Sequence, residues 1–328
     1  MDHVKVLKRA WGILWSYRAL WVFGVILALT TGGGGNRWAQ YSFRGEDFSP
    51  GGRFHIEEIP PEIVGTLIAI GVGLACVIVI LIIAAAVARY VSETALIHMV
   101  DDYEKTGERR SVRQGFRMGW SRAALRLFLI DLLIGLPVAV AFIVLFVVAA
   151  APLLLWATES TAAGAIGTVV TIGLGLLVVL LAIVVGVILS VLMRFFRRVC
   201  VLQQAGVIES IRQGYGIVRQ HLKDVTIMWL IMVGLGIGWV IVMIPVTIVL
   251  VVLGGVVGGL PGLLLGGLAS LAFEGAVPWI LGLALAIPIF ILVLAAPLGF
   301  LGGLMRVFVS STWTLTYREL RAEAAPIA

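Results

Sequence analysis

Six apolar runs divide the chain, at 19–32, 63–88, 125–151, 164–193, 225–257 and 276–305. About 20 apolar residues carry a helix across a hydrocarbon core, so each run predicts a membrane span. The first is short and is expected to reach back past Arg18, whose stem can snorkel to the interface. More polar stretches with apolar side chains three and four apart precede runs one, three and five. They are Val4, Leu7, Trp11 and Leu14; then Val112, Phe116 and Gly119; then Ile208, Ile211, Tyr215, Val218, Leu222 and Val225. That spacing gathers them on one helical face. Lys5, Lys8, Arg9, Arg113, Arg117, Arg212 and Arg219 fall on the others. Apolar, aromatic and basic residues so arranged predict amphipathic helices lying in the membrane interface.

These stretches share a pattern. Leu7-Lys8-Arg9-Ala10-Trp11, Val112-Arg113-Gln114-Gly115-Phe116 and Ile211-Arg212-Gln213-Gly214-Tyr215 align, and Ser111 and Ser210 extend the match between the last two. Arg89, Arg194 and Arg306 each stand near the close of a returning run, and Tyr90-Val91-Ser92-Glu93-Thr94 resembles Phe308-Val309-Ser310-Ser311-Thr312. An internal repeat of this kind decides architecture before any single residue does. The expected fold is all-α: one membrane domain, 1–328, of six transmembrane helices. They form three hairpins with one orientation, each preceded by an interfacial helix, in units 1–105, 106–205 and 206–328. The repeats are not inverted, unlike those of many alternating-access transporters.

Composition agrees with the membrane assignment: 61% hydrophobic and 13% charged residues, where soluble domains carry about 25% charged. The net charge of +6 is not a nucleic-acid footprint, because the cations sort by loop. Of the 24 Lys and Arg, only Arg37, Arg44 and Arg53 lie on the side opposite the termini. The positive-inside rule then puts both termini in the cytoplasm, and the expected location is the cell membrane. Lys5, Lys8 and Arg9 ahead of an apolar run resemble a signal peptide, but no small-x-small cleavage site follows, so a retained first span is expected. Cys76 and Cys200 read as small apolar residues in or beside spans, not as a disulfide.

The outer loops differ. The first, 33–62, is polar with scattered aromatics, and its Gly32–Gly35 run lacks the Gly-Lys-Ser/Thr of a phosphate loop. The second is short, near Glu159. The third, 258–274, is apolar and contains Gly258-x-x-x-Gly262-x-x-x-Gly266. It is expected to be a re-entrant segment packed through its small residues.

Chemistry is sparse. Asp131 lies inside the third run, where the aligned residues are Ile26 and Leu230. An ionised group at that depth costs about 2.5–3.5 kcal/mol on insertion scales. It reads first as an ion-pair partner of Arg122, Arg126 or a returning arginine, and second as a transport or proton-relay residue. His98, Asp101 and Asp102 share a helical face, but such sets are more often solvated than metal-binding. Glu274 reads as a solvent-facing residue. No metal or cofactor is expected, and there is no His-Glu-x-x-His, Gly-x-Ser-x-Gly or Walker motif. Lys8, Arg113 and Arg212, equivalent in the repeat, are candidate contacts for anionic lipid headgroups, each worth about 1 kcal/mol near a charged leaflet. The competing reading gives them orientation and anchoring alone.

Lys8-Arg9-Ala10-Trp11, Leu20-Trp21-Val22-Phe23-Gly24 and the two Arg-Gln-Gly-aromatic segments resemble a group of prokaryotic six-helix membrane proteins. These are similar to the membrane domain fused to some glycerophosphoryl diester phosphodiesterases. The resemblance implies a lipid-related role by analogy and no catalytic residues here, since the soluble barrel with its acidic metal ligands is absent. The expected function is therefore a non-enzymatic membrane protein. Its partners would be membrane lipids, anionic ones foremost, or a second membrane protein at the cytoplasmic face, and not nucleic acid. The alternative is a small transporter or channel with a polar path near Asp131. A membrane enzyme acting on lipids comes third.

Overall fold

The computed structural model describes residues 1–31, 61–158 and 160–324, and every element among them is helical. In order they are α1 (His3–Ser16), α2 (Ala19–Thr30), α3 (Pro61–Thr106), α4 (Val112–Gly119) and α5 (Arg122–Ala150). After α5 comes a 3-10 turn (Ala151–Thr158), then α6 (Thr161–Gln203), α7 (Val207–Gln220), α8 (Leu222–Ala269) and α9 (Val277–Ala324). The glycine run, Arg37, Arg44, Arg53, His55 and Glu159 lie outside the described residues. Five stretches are long and apolar enough to cross a membrane: Ala69–Thr106, Arg122–Trp156, Thr161–Gln203, Leu222–Ala269 and Val277–Glu323. The fold is that of an all-helical, multi-pass membrane protein.

The first expected span differs. The chain does not run straight past Arg18: α1 and α2 meet at 100°, and the 12 residues of α2 reach only about 18 Å. Tyr17 makes the corner. Its N–H donates to Ile13 O, closing α1, and its buried phenol donates to Arg110 O at 2.9 Å. The indole of Trp21 donates back to Leu14 O at 2.7 Å. Helices α4 and α7 end in the same manner, with Trp120 N–H on Phe116 O and His221 N–H on Ile217 O.

The expected re-entrant segment is also corrected. Residues 258–269 continue α8, which is unbroken through Pro245 and Pro261 to Ala269. The buried Gly254, Gly258 and Gly262 press against Phe290, Ala286 and Gly282 of α9, so a Cβ on Gly262 would stand 2.7 Å from that of Ala286. The small-residue spacing zips two antiparallel helices together. The chain reverses only afterwards, with Gly275 at φ +77°.

Burial is one-sided along the molecule. Residues 69–84 of α3 are exposed on every face, Cys76 included, as suits a lipid-facing surface. Further along the same helix, Ala95, Leu96, Met99 and Val100 are buried. They join Phe195 and Val199 of α6, Trp313 and Tyr317 of α9, and Val6, Ile13 and Phe23 of α1 and α2 in one core. The long helices thus converge at their basic ends.

The short helices brace that convergence, α4 on α3, α7 on α6 and α1 on α9. Their inward faces match the predicted apolar stripes only in part, through Leu14, Gly119 and Val218. α1 buries Val6, Ala10, Ile13 and Leu14 and leaves Val4 and Trp11 outward; α7 buries Ser210, Gly214 and Val218 and leaves Ile208 and Tyr215 outward. Small residues let these helices approach closely: a Cβ on Gly115 would lie 2.4 Å from the sulfur of Met99, and one on Gly214 2.5 Å from the ring of Phe196. The aromatic rings of Trp11, Phe116 and Tyr215 are left for the surroundings.

Candidate functional site

Where α3, α5, α6 and α9 converge, charged side chains collect between helices. The guanidinium of Arg197 lies between two carboxylates. Its Nη1 donates to Glu93 Oε1 at 2.8 Å, and its Nη2 donates to Asp131 Oδ1 and Oδ2 at 2.8 and 2.7 Å. Tyr90 donates its hydroxyl to Asp131 at 3.1 Å, and Arg89 approaches that carboxylate at 3.8 Å. All three ion-paired side chains are less than one fifth exposed, so the pairs are little screened by solvent. Asp131 therefore pairs with the returning arginine Arg197 and not with Arg122. Arg126 instead donates to Gln204 O and Ala205 O, at 2.5 and 3.2 Å.

Other arginines crowd the same junction. Buried Arg198 donates to Arg194 O at 2.6 Å and to Ser310 O at 3.0 Å. Arg194 lies over the indole of Trp313, 4.7 Å from its centroid, a favourable cation–π stack. Arg306 is near enough to feel the charges of Arg89 and Glu93, and Arg194 feels those of Arg197 and Arg306. Among the described residues, five arginines thus share the junction with two carboxylates. The signal in the sequence was the triplet of arginines closing the returning runs. Glu93 and Arg197 carried no motif that marked them as partners.

The sequence-predicted headgroup contacts are elsewhere. Lys8, Arg113 and Arg212 are exposed on α1, α4 and α7, and the structure does not bring them together. His98, Asp101 and Asp102 do not assemble either. Asp101 meets Arg318 at 2.7 Å and Lys105 at 2.5 Å, and Asp102 meets Arg110 at 2.7 Å. A different set, His221, Asp224 and Glu323, has ligand atoms within 4.8 Å of one another. The Met1 ammonium lies 3.2 Å from Glu323 and His3 lies 3.5 Å from Asp224, so cationic and imidazole groups already meet those acids. Glu274 is exposed in the turn between α8 and α9. Arg117, Arg122, Arg126 and His98 line an open cleft of about 440 Å³ beside the start of α5.

No curated protein matches the chain, and no solved structure matches it. A family model does match, over residues 7–316. That range starts in the first turns of α1 and ends within α9, taking in every residue of the arginine junction. The chain belongs to the family described as a family of unknown function (DUF7544).

Proposed function

We propose that this is a six-span, non-enzymatic protein of the cell membrane, with both termini in the cytoplasm, that binds anionic lipid at its cytoplasmic face. α2, entered from the interfacial α1 through the 100° bend, supplies the sixth crossing. The chain is three like-oriented hairpins, each preceded by an interfacial helix. The recurring corners at Tyr17, Trp120 and His221, and the buried Ala10, Gly115 and Gly214, support that repeat.

One observation carries the lipid reading. The three exposed cations Lys8, Arg113 and Arg212 stand on short helices beside the exposed aromatics Trp11, Phe116 and Tyr215. Aromatics that stay outside the protein core seat a helix among headgroups, and cations beside them meet the negative leaflet. For Asp131, ion pairing to Arg197 supports a structural role over a proton relay.

The test replaces Lys8, Arg113 and Arg212 by Gln together. Binding of the reconstituted protein to anionic over zwitterionic lipid should fall at low salt, and the difference should vanish at high salt, where the Debye length is about 3 Å. An unchanged preference in the triple variant sinks the lipid role of these residues.

A further inference from the structure

The arginine junction is overcharged. Among the described residues, Arg89, Arg194, Arg197, Arg198 and Arg306 share the junction with the two carboxylates Glu93 and Asp131, a surplus of three cations, and Arg197 already engages both acids. Like charges held between helices at this depth are costly unless an anion neutralises them. Donors are left over as well. Among the described residues, Arg89 Nε, Arg198 Nε, Ser92 Oγ, Ser311 Oγ and Trp313 Nε1 are buried without a hydrogen-bond partner. Ser92 and Ser311 are fully buried, Trp313 is 1% exposed and Arg198 5%. Neighbouring Thr312, Thr314 and Thr316 satisfy their hydroxyls on the carbonyl one turn back, which Ser92 and Ser311 do not. Buried donors are rarely left unmet in native proteins. Guanidinium and indole N–H groups only donate, so their partner must accept, and the surplus of cations favours one that is negative. Phosphate has that chemistry and matches the planar guanidinium fork.

The position selects the source of the phosphate. Arg89, Arg194 and Arg306 close three apolar runs, which is headgroup depth. Directly beyond them, α3 is exposed on all faces through Leu74, Val77, Leu81 and Ile83. The paired helices α5–α6 and α8–α9 likewise expose Leu177, Leu181, Ile287 and Ile291. An apolar surface above a cationic base fits a phospholipid with its tails along the helices.

We propose that the arginine junction binds the phosphate of one inner-leaflet anionic phospholipid, at headgroup depth between the long helices and apart from the interfacial helices. It rests on the lipid-binding reading above but on different residues, so the two fail separately.

The test uses the full chain in mild detergent, loaded with phosphatidylglycerol or phosphatidylcholine and washed at about 1 M salt, where surface pairing is screened. Bound lipid per chain is counted by extraction and mass spectrometry. The wild type should keep about one phosphatidylglycerol. The Arg194→Gln/Arg306→Gln variant, which removes two of the three surplus cations and leaves the pairs of Arg197 intact, should lose it at least roughly tenfold. The Lys8/Arg113/Arg212 triple Gln variant should keep it. No salt-resistant lipid in the wild type overturns the site, as does undiminished retention in the double variant. Loss in the triple variant with retention in the double assigns the lipid to the interfacial helices and overturns the junction site. In the wild-type chain alone, phosphatidylglycerol should raise the thermal unfolding midpoint more than millimolar inorganic phosphate or glycerol phosphate. Equal protection by the soluble anions overturns the lipid assignment, and this arm needs no variant to fold.

Discussion

Arg197 and Asp131, 66 residues apart in sequence, meet through paired hydrogen bonds of 2.7 and 2.8 Å. The pair ties the return of one hairpin to its outgoing helix, and Arg197 extends the tie to Glu93 of α3 at 2.8 Å. Both partners are largely buried, so losing Asp131 leaves Arg197 with Glu93 alone, and losing Arg197 leaves Asp131 with only the longer ionic contact, to Arg89 at 3.8 Å.

Asp131→Asn should therefore destabilise the protein by about 3 kcal/mol, in the range for breaking a buried pair. Arg197→Gln should cost as much or more, because it strands two carboxylates. The double variant should recover part of the loss, read as a coupling in denaturant or thermal unfolding. A loss below about 1 kcal/mol for Asp131→Asn is the behaviour of an exposed pair and would contradict this burial.

Close packing of the short helices is tested at glycine. Gly115→Ala and Gly214→Ala put a Cβ 2.4 and 2.5 Å from Met99 and Phe196. Each should destabilise by about 1–3 kcal/mol, as overpacking does. Gly216→Ala, on the same helix as Gly214 but with nothing within 4 Å, should be neutral or stabilise by about 0.5–1 kcal/mol. Equal effects at all three positions would argue against the modes of packing described for α4 and α7.

Tyr17 gives a pH signature. Burial pushes its phenol above the ordinary tyrosine range. The unfolded chain then ionises this group first, so its contribution is complete below about pH 10 and is lost as pH rises beyond that. Stability measured from pH 8 to 11 should fall less steeply in Tyr17→Phe. The same variant should lose about 1 kcal/mol at neutral pH with its hydrogen bond. A wild-type profile no steeper than that of the variant refutes the assignment.

Topology is checked by labelling. In a background with Cys76 and Cys200 replaced, cysteines at Ser42 and Ser111 should react with an impermeant thiol reagent from opposite sides of the membrane. Reaction of both from outside would exclude cytoplasmic termini on six spans.

Much of the architecture was legible in the chain. Apolar runs longer than a bilayer core announced membrane helices. The three-and-four spacing of Trp11, Phe116 and Tyr215 with their neighbours announced the short helices α1, α4 and α7. Those signals are local, because helical period and transfer from water depend on residues a few positions apart. The same locality misled at two places. Gly258-x-x-x-Gly262 is consistent with either a re-entrant loop or a helix seam, and only the opposing Gly282 and Ala286 of α9 decide for the seam. Arg18 in an apolar context is compatible with a straight span, until Tyr17 finds Arg110 and the chain turns. The junction is the clearest case. Periodicity could mark Asp131 as out of place and Arg89, Arg194 and Arg306 as recurrent. Which arginine neutralises Asp131, and that three cations are left over, depends on side chains brought together from four helices. Such contacts are fixed by the packing of distant segments, so they belong to the tertiary structure alone.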